Sequence, residues 1–399
     1  MTQQTGSANT LSRIEFILLM SAIVAVDALA IDAILPALSS MSRDFGVQDG
    51  NDRQYIVTSI FIGYAFGVMV FGIVSDSFGR KRPVYIGFAV FLFGTLVTVF
   101  STSFTMLLVG RVLQGIGAAG PQVIPTAITR DLYKGRGMAE IMSLIMMVFM
   151  LVPAIAPLIG QGILMIANWQ GIFVMLGVYS LMALVWFAVR QPETLPPEER
   201  VPFSFRQVGL SIRVVLRNQQ AVKYMLAEGL TFAAVLAYLS MAQQVFQEHY
   251  QLGERFPLYF GGLALVMMVA SFVNSRLVER LGMRLLVMRG ALFLFAASLV
   301  YLVIILLRDQ SVPLWSFMLY ASMAYFCLGI LFGNMHSLAM EEVGDVAGVA
   351  ASVVGSVSTL IATVLAAIIG SFYNDSITPI VLGFGVLMLP IIVISWRDR

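Results

Sequence analysis

"SDSFGRKRP", residues 75–83, and "LVERLGMR", residues 277–284, carry the same three features at the same spacing. Asp76-x-x-Gly79-x-Lys81 superposes on Glu279-x-x-Gly282-x-Arg284: an acid, a glycine and a base, 203 residues apart in a chain of 399. A separation so close to half the length points to an internal duplication. Each copy lies between two long apolar runs, so each reads as a tight loop joining two helices. The glycine permits the turn, and the bases stay in water. The acid can hold a base or a helix end on the partner half, in one conformation and not in another.

The surroundings of those loops are set by composition. Of the residues, 59% are hydrophobic and 12% are charged, against about 25% charged in ordinary soluble proteins. No water-soluble fold of this length could bury that much apolar surface. Runs of about 20 apolar residues are long enough to cross the hydrocarbon as helices, and there are twelve: 14–37, 54–74, 84–100, 104–128, 138–165, 169–189, 221–246, 256–275, 285–307, 313–338, 346–371 and 377–396, numbered here as spans 1 to 12. The fold class is an all-α polytopic membrane protein with twelve transmembrane helices in two six-helix bundles. Residues 1–190 form the first bundle, 191–220 a linker, and 221–399 the second bundle. The single cysteine, Cys327, lies in an apolar run, which excludes a disulfide framework and a cysteine-based metal site. The polar start "MTQQTGSANTLSR" reads as a tail before a retained helix and not as a signal peptide.

Basic residues orient the spans. With the N-terminus inside, 19 of the 24 Lys and Arg fall on inside-facing segments, among them Arg80, Lys81, Arg206, Arg213, Arg217, Arg284 and Arg399. Four, Arg43, Arg53, Arg255 and Arg308, fall on outer loops. That bias places both termini in the cytoplasm. The linker has prolines 192, 196, 197 and 202 in its first part, which disfavour helix. In its second part Phe205, Val208, Ile212 and Val215 recur at helical spacing opposite Arg206, Arg213 and Arg217, the pattern of a short helix lying on the inner membrane surface.

Four stretches together resemble the major facilitator superfamily over essentially the whole chain. "GIVSDSFGRKRP" (72–83) resembles its loop between helices two and three, and "LLVGRVLQGIGAAG" (107–120) its fourth-helix motif, an intramembrane arginine followed by glutamine and small residues. "VPAIAPLIGQG" (152–162) is similar to the fifth-helix motif of the antiporter branch, with Ala156 where glycine is usual and Pro153 added. "AIDAILPALSSM" (30–41) resembles the bicyclomycin and chloramphenicol resistance group. The resemblance implies the major facilitator fold, working by alternating access between two halves around a site near the midplane. It also implies a multi-pass protein of the bacterial cytoplasmic (inner) membrane. Conformational gating then falls to Asp76, Gly79, Arg80, Lys81, Pro153, Pro157 and Gly160. The two prolines break backbone hydrogen bonds in span 5 and bend it.

Four ionisable residues lie well inside the spans: Asp27 and Asp32 in "SAIVAVDALAIDAILPAL" (21–38), Arg111 and Glu228. An acid at the bilayer centre costs roughly 2.5–3.5 kcal/mol on the mildest scale and is by default a functional residue. Counting about 1.5 Å per residue from the span ends puts Arg111 at a depth between the two aspartates. Five residues at 100° each separate Asp27 and Asp32 by about 140° around the helix, so they cannot point the same way. The expectation is that Arg111 pairs with one as a carboxylate while the other, poorly solvated, takes up protons. Sequence alone does not assign which. Glu228 belongs to the inner half of span 7 and joins the proton and substrate coupling set. A soft, aromatic, methionine-bearing cavity is expected from Phe61, Tyr64, Gln114, Met146, Phe149, Met150, Phe232, Tyr238 and Asn334.

The reading is therefore a proton-coupled exporter of small lipophilic drugs, driven by the proton gradient with no cofactor. Its partners are the lipid bilayer, the drugs and protons; no nucleic acid is involved, and the monomer suffices. A sugar or metabolite transporter of the same fold would want more Asn, Gln and charged groups in the spans. A membrane-embedded enzyme would need a metal cluster or a nucleophile–base set. The only histidines are His249, in an outer loop, and His336, near the inner end of span 10, and neither has a sequence partner.

Overall fold

The computed structural model describes residues 11–200, 204–308 and 311–397. The start of the polar tail, Pro202 of the linker and Arg399, all used above, lie outside those residues. The described residues contain twelve helices long and apolar enough to cross a membrane. They run Arg13–Asp44, Asp52–Phe78, Lys81–Val99, Phe104–Leu132, Gly135–Leu164, Trp169–Arg190, Gln219–His249, Gly253–Leu281, Met283–Leu307, Leu314–Met340, Gly344–Ser371 and Thr378–Trp396. Side-chain oxygens begin several of them. Ser12, Ser103 and Asn218 accept from the backbone of Glu15, Met106 and Ala221, satisfying donors that a helix start leaves open.

The contacts between spans repeat. In the first half span 1 packs on spans 4, 5 and 6, span 2 on span 4, and span 3 on spans 4 and 6. Adding six to each number gives the contacts of the second half. The halves meet where span 2 packs on span 11 and span 5 on span 8, which is one contact seen twice under the same operation. The duplicated loops agree in detail: Gly79 has φ 88° and ψ 172°, and Gly282 has φ 77° and ψ 155°. Both values are left-handed and favour glycine.

Three local features refine the sequence reading. Span 1 is not one helix: α-helix ends at Asp32, and a 3-10 turn over Leu35–Ala37 precedes a second helix, Leu38–Asp44. Pro36 is the cause, since it has no N–H for the Asp32 carbonyl and its ring clashes with it. Span 5 is helical without interruption over Gly135–Leu164, with Pro153 and Pro157 inside it. Span 7 ends in a π-helical turn, Gln244–His249, which apolar periodicity does not reveal. The linker helix does form, over Phe205–Arg217. Val215 is its buried residue, while Phe205 is exposed.

Candidate functional site

Asp27 and Asp32 are both buried, at 7% and 5% exposure. Their 140° offset sends them to different neighbours. Asp27 lies within electrostatic reach of Arg111 and Tyr64 of the first half. Asp32 lies within reach of Asp27 and of Tyr238 and Tyr325, on spans 7 and 10 of the second half. Those two rings meet edge-on at 4.8 Å. Thus one acid faces inward to its own bundle and the other faces the seam.

Arg111 does not make the direct ion pair expected of it. Its Nε donates to the Ile56 carbonyl at 3.0 Å, and Nη1 donates to the Ala30 carbonyl at 3.0 Å and to Gln114 Oε1 at 2.8 Å. The guanidinium sits 5.7 Å from the centre of the Phe173 ring. The Ala30 carbonyl, between the two acids, and the Ile56 carbonyl of span 2 take the donors, so the arginine ties spans 1, 2 and 4 together and acts on Asp27 through space. Asp27 Oδ1 and Arg111 Nη2 are buried without a hydrogen-bond partner among the described residues. A separated charge pair of this kind leaves a carboxylate oxygen open to a proton.

Gln114 was expected in the cavity and is elsewhere. It is fully buried, with its oxygen on Arg111 and its nitrogen donating to Thr95 Oγ1 at 2.8 Å. Both ends of the amide are committed to helix packing. Asn334 is likewise engaged, donating to Asn274 Oδ1 of span 8 at 2.7 Å and to Ile330 O at 2.9 Å. Phe61 meets Phe232 across the two halves at 5.7 Å. Tyr238 is buried among Phe246, Phe260 and Tyr325. Tyr64, Met146, Phe149 and Met150 are half-buried. Glu228, far from the aspartates in sequence, is buried and bonded to His336, a partner the sequence reading did not find.

Of the gating residues, Gly160 has the plainest role: a Cβ there would lie 1.8 Å from the Ala33 carbonyl. Span 5 therefore touches span 1 backbone directly at the break beside Asp32. At the N-terminal face the base that pairs is Arg80 and not Lys81. Arg80 bonds Asp76 at 2.6 Å and Asp131 at 2.8 Å; burial alone would lower its pKa, and the two acids more than offset this and raise it. Lys81 instead donates to the Ala188 carbonyl. Asp76 also reaches the first turn of span 11, its Oδ2 lying 3.0 Å from where a Cβ on Gly348 would be. Linker residue Glu193 accepts from the N–H groups of Arg80, Lys81, Thr194 and Leu195. No periodicity marks Glu193 or Asp131, because their roles depend on where loops return.

The opposite, far face is closed by polar contacts between the halves. Arg53 pairs with Glu248 and also donates to Gln243; Gln54 donates to Gln244 at 2.7 Å and to the Gly370 carbonyl at 3.2 Å. Asn51 donates to the Tyr373 carbonyl at 2.9 Å. A cavity of about 450 Å³ opens at the N-terminal face, between Asp76 and Ser77, the linker helix, and Asp345 and Gly348. It lies at the level of the loops and not of the membrane acids.

Comparison with known proteins agrees with this architecture. The family described as Major Facilitator Superfamily matches residues 20–367. The bicyclomycin resistance protein homolog of Haemophilus influenzae is 28% identical over 373 residues, 93% of this chain and 92% of that one. Multidrug resistance protein MdtL of Klebsiella pneumoniae is 26% identical over 344 residues, 84% of this chain and 83% of its own. Among solved structures, the human organic anion transporter MFSD10 superposes with a TM-score of 0.70 at 19% identity, covering 96% of this chain and all 100% of its own. The xylose transporter XylE of E. coli, in a partially occluded inward-open conformation, gives 0.75 at 13% identity, covering 96% and 97%; these two likenesses bear on the fold alone. The chain belongs to the Major Facilitator Superfamily.

Proposed function

We propose that this chain exports small lipophilic drugs across the bacterial inner membrane in exchange for protons. One observation carries the reading: Asp27 and Asp32 are both buried in span 1, beside an arginine whose donors go to the Ile56 and Ala30 carbonyls. A carboxylate so placed takes a proton when it faces one side of the membrane and gives it up when it faces the other. A substrate whose binding favours the ionised acid is thereby linked to proton movement. The names of the relatives, a bicyclomycin resistance protein homolog and a multidrug resistance protein, support a drug as that substrate. The positive-inside bias supports a cytoplasmic N-terminal face. In this reading the chain catalyses no chemistry, needs no cofactor, binds no nucleic acid and works as a monomer.

Everted membrane vesicles test it. Drug added to vesicles holding an imposed pH gradient should dissipate that gradient. Asp32→Asn and Arg111→Ala should each abolish the response, and Asp27→Asn should abolish it or restrict it to neutral compounds. Full response in both aspartate variants, or a response to sugars and not to drugs, would overturn the reading.

A further inference from the structure

Glu228 and His336 form a second ionisable centre, distinct from the span 1 acids. Glu228 lies nine residues past Gln219, about 14 Å along span 7 from the N-terminal face. Its Oε1 is 3.0 Å from His336 Nδ1 on span 10, and its Oε2 accepts from Ser358 on span 11 at 3.4 Å. The pair is lopsided: the Glu228 side chain is 4% exposed and that of His336 43%. The imidazole is the side of the pair that faces outward.

Few other charges compete for this carboxylate. Span 11, the closest neighbour of span 7, has no ionisable side chain over Ala347–Ser371, and span 12 has none before Arg397. Span 10 offers, besides His336, only Tyr320, Tyr325 and Cys327, nine or more residues away. Span 2 contributes Tyr64 and Asp76, with Asp52, Arg53 and Tyr55 at its far end; the linker helix contributes Arg206, Arg213 and Arg217; and span 7 itself Lys223, Tyr224 and Tyr238, with Glu248 and His249 at its far end. His336 is the base in contact.

One helical turn further into the membrane stand three phenylalanines. Phe232 follows Glu228 by four residues and Phe332 precedes His336 by four, their rings 5.5 Å apart. Phe232 also meets Phe61 of span 2 at 5.7 Å. Phe232 and Phe332 are only half-buried. A carboxylate with aromatic rings one turn away is the chemistry that recognises a lipophilic cation: the acid takes the charge, and the rings take the apolar body and part of the charge.

We propose that Glu228, with Phe61, Phe232 and Phe332, is a subsite for lipophilic organic cations, held by the His336 imidazole until such a cation displaces it. This rests on the exporter reading and specifies its substrate class. The displaced imidazolium gives its proton to water at the N-terminal face, so one positive charge enters the subsite as one leaves.

The test uses the full chain in lipid nanodiscs and tetraphenylphosphonium as probe, with calorimetry at about pH 6 and about pH 8, either side of the imidazole range. Affinity should be several-fold tighter at the higher pH, and an indicator dye should record proton release on binding at the lower. Glu228→Gln should weaken binding at least tenfold at both pH values, while Glu228→Asp keeps part of it and guards against a folding defect. His336→Gln should bind tighter at low pH, lose most of the pH dependence and release no proton. Wild-type binding by Glu228→Gln, or wild-type proton release by His336→Gln, overturns the subsite. Because no gradient is involved, vesicles that respond to no drug would defeat the exporter reading separately.

Discussion

Arg111 directs three hydrogen bonds at the backbone and at Gln114, and none at a carboxylate. A lysine in its place carries the charge but cannot span the Ile56 and Ala30 carbonyls in the same geometry. Arg111→Lys is therefore expected to lose the drug-dependent collapse of the pH gradient and to lower the midpoint of thermal unfolding. Removing a member of a buried charged network typically costs about 3–5 kcal/mol. Unchanged unfolding in Arg111→Lys would mean that the clamp is not structural. The charges themselves were legible in the sequence, because an acid or a base stands out in an apolar run. Depth counting even placed Arg111 between the two aspartates, where its bond to Ala30 now lies. Which acid faces the arginine was not legible, since an angular offset on one helix does not say how that helix is rotated.

At the scale of an element, Gly160 and Pro36 act on one joint. Pro36 ends the first helix of span 1, and Gly160 lets span 5 lie against the buried Ala33 carbonyl. Gly160→Ala must force the two backbones apart, at a cost of about 1–3 kcal/mol or more, and should lower thermal stability and transport together. Gly162→Ala, whose added methyl would meet nothing within 4 Å, is the control and should behave as wild type. The linker gives a pH-dependent expectation. Burial would raise the Glu193 carboxyl, but the N–H groups of Arg80, Lys81, Leu195 and Thr194 outweigh that and hold it below its ordinary 4.5. Its contribution is then complete above that value and fades as the pH falls through the lower folded value. Glu193→Gln should reduce the thermal midpoint at neutral pH, with the gap to wild type closing below about pH 4.5. A gap independent of pH would show that the charge plays no part. The short helix of the linker was predictable from its period, whereas the capping by Glu193 was not, because it joins residues over 100 positions apart.

For the whole molecule, the structure is sealed at the far face by Arg53, Gln54 and Asn51 against Gln243, Gln244, Glu248 and Tyr373. Each such hydrogen bond contributes roughly 0.5–1.5 kcal/mol, so removing Arg53 should shift the opening equilibrium by on the order of tenfold. The native Cys327 is buried, which keeps the labelling background low. A cysteine placed one turn inside the seal, Leu239→Cys, should react several-fold faster with a far-side maleimide when combined with Arg53→Ala. Equal rates would mean that these contacts do not hold the face shut. By itself the sequence determined that there are twelve spans, that the chain is a duplicated pair of halves, and that charges sit in the membrane. Those follow from composition and period, which are properties of each segment alone. Only the tertiary structure decided that Arg80 and not Lys81 makes the ion pairs, that Gln114 belongs to packing, and that His336 finds Glu228. These depend on helix rotation and on where distant loops return, and a one-dimensional pattern of polar and apolar residues leaves both free.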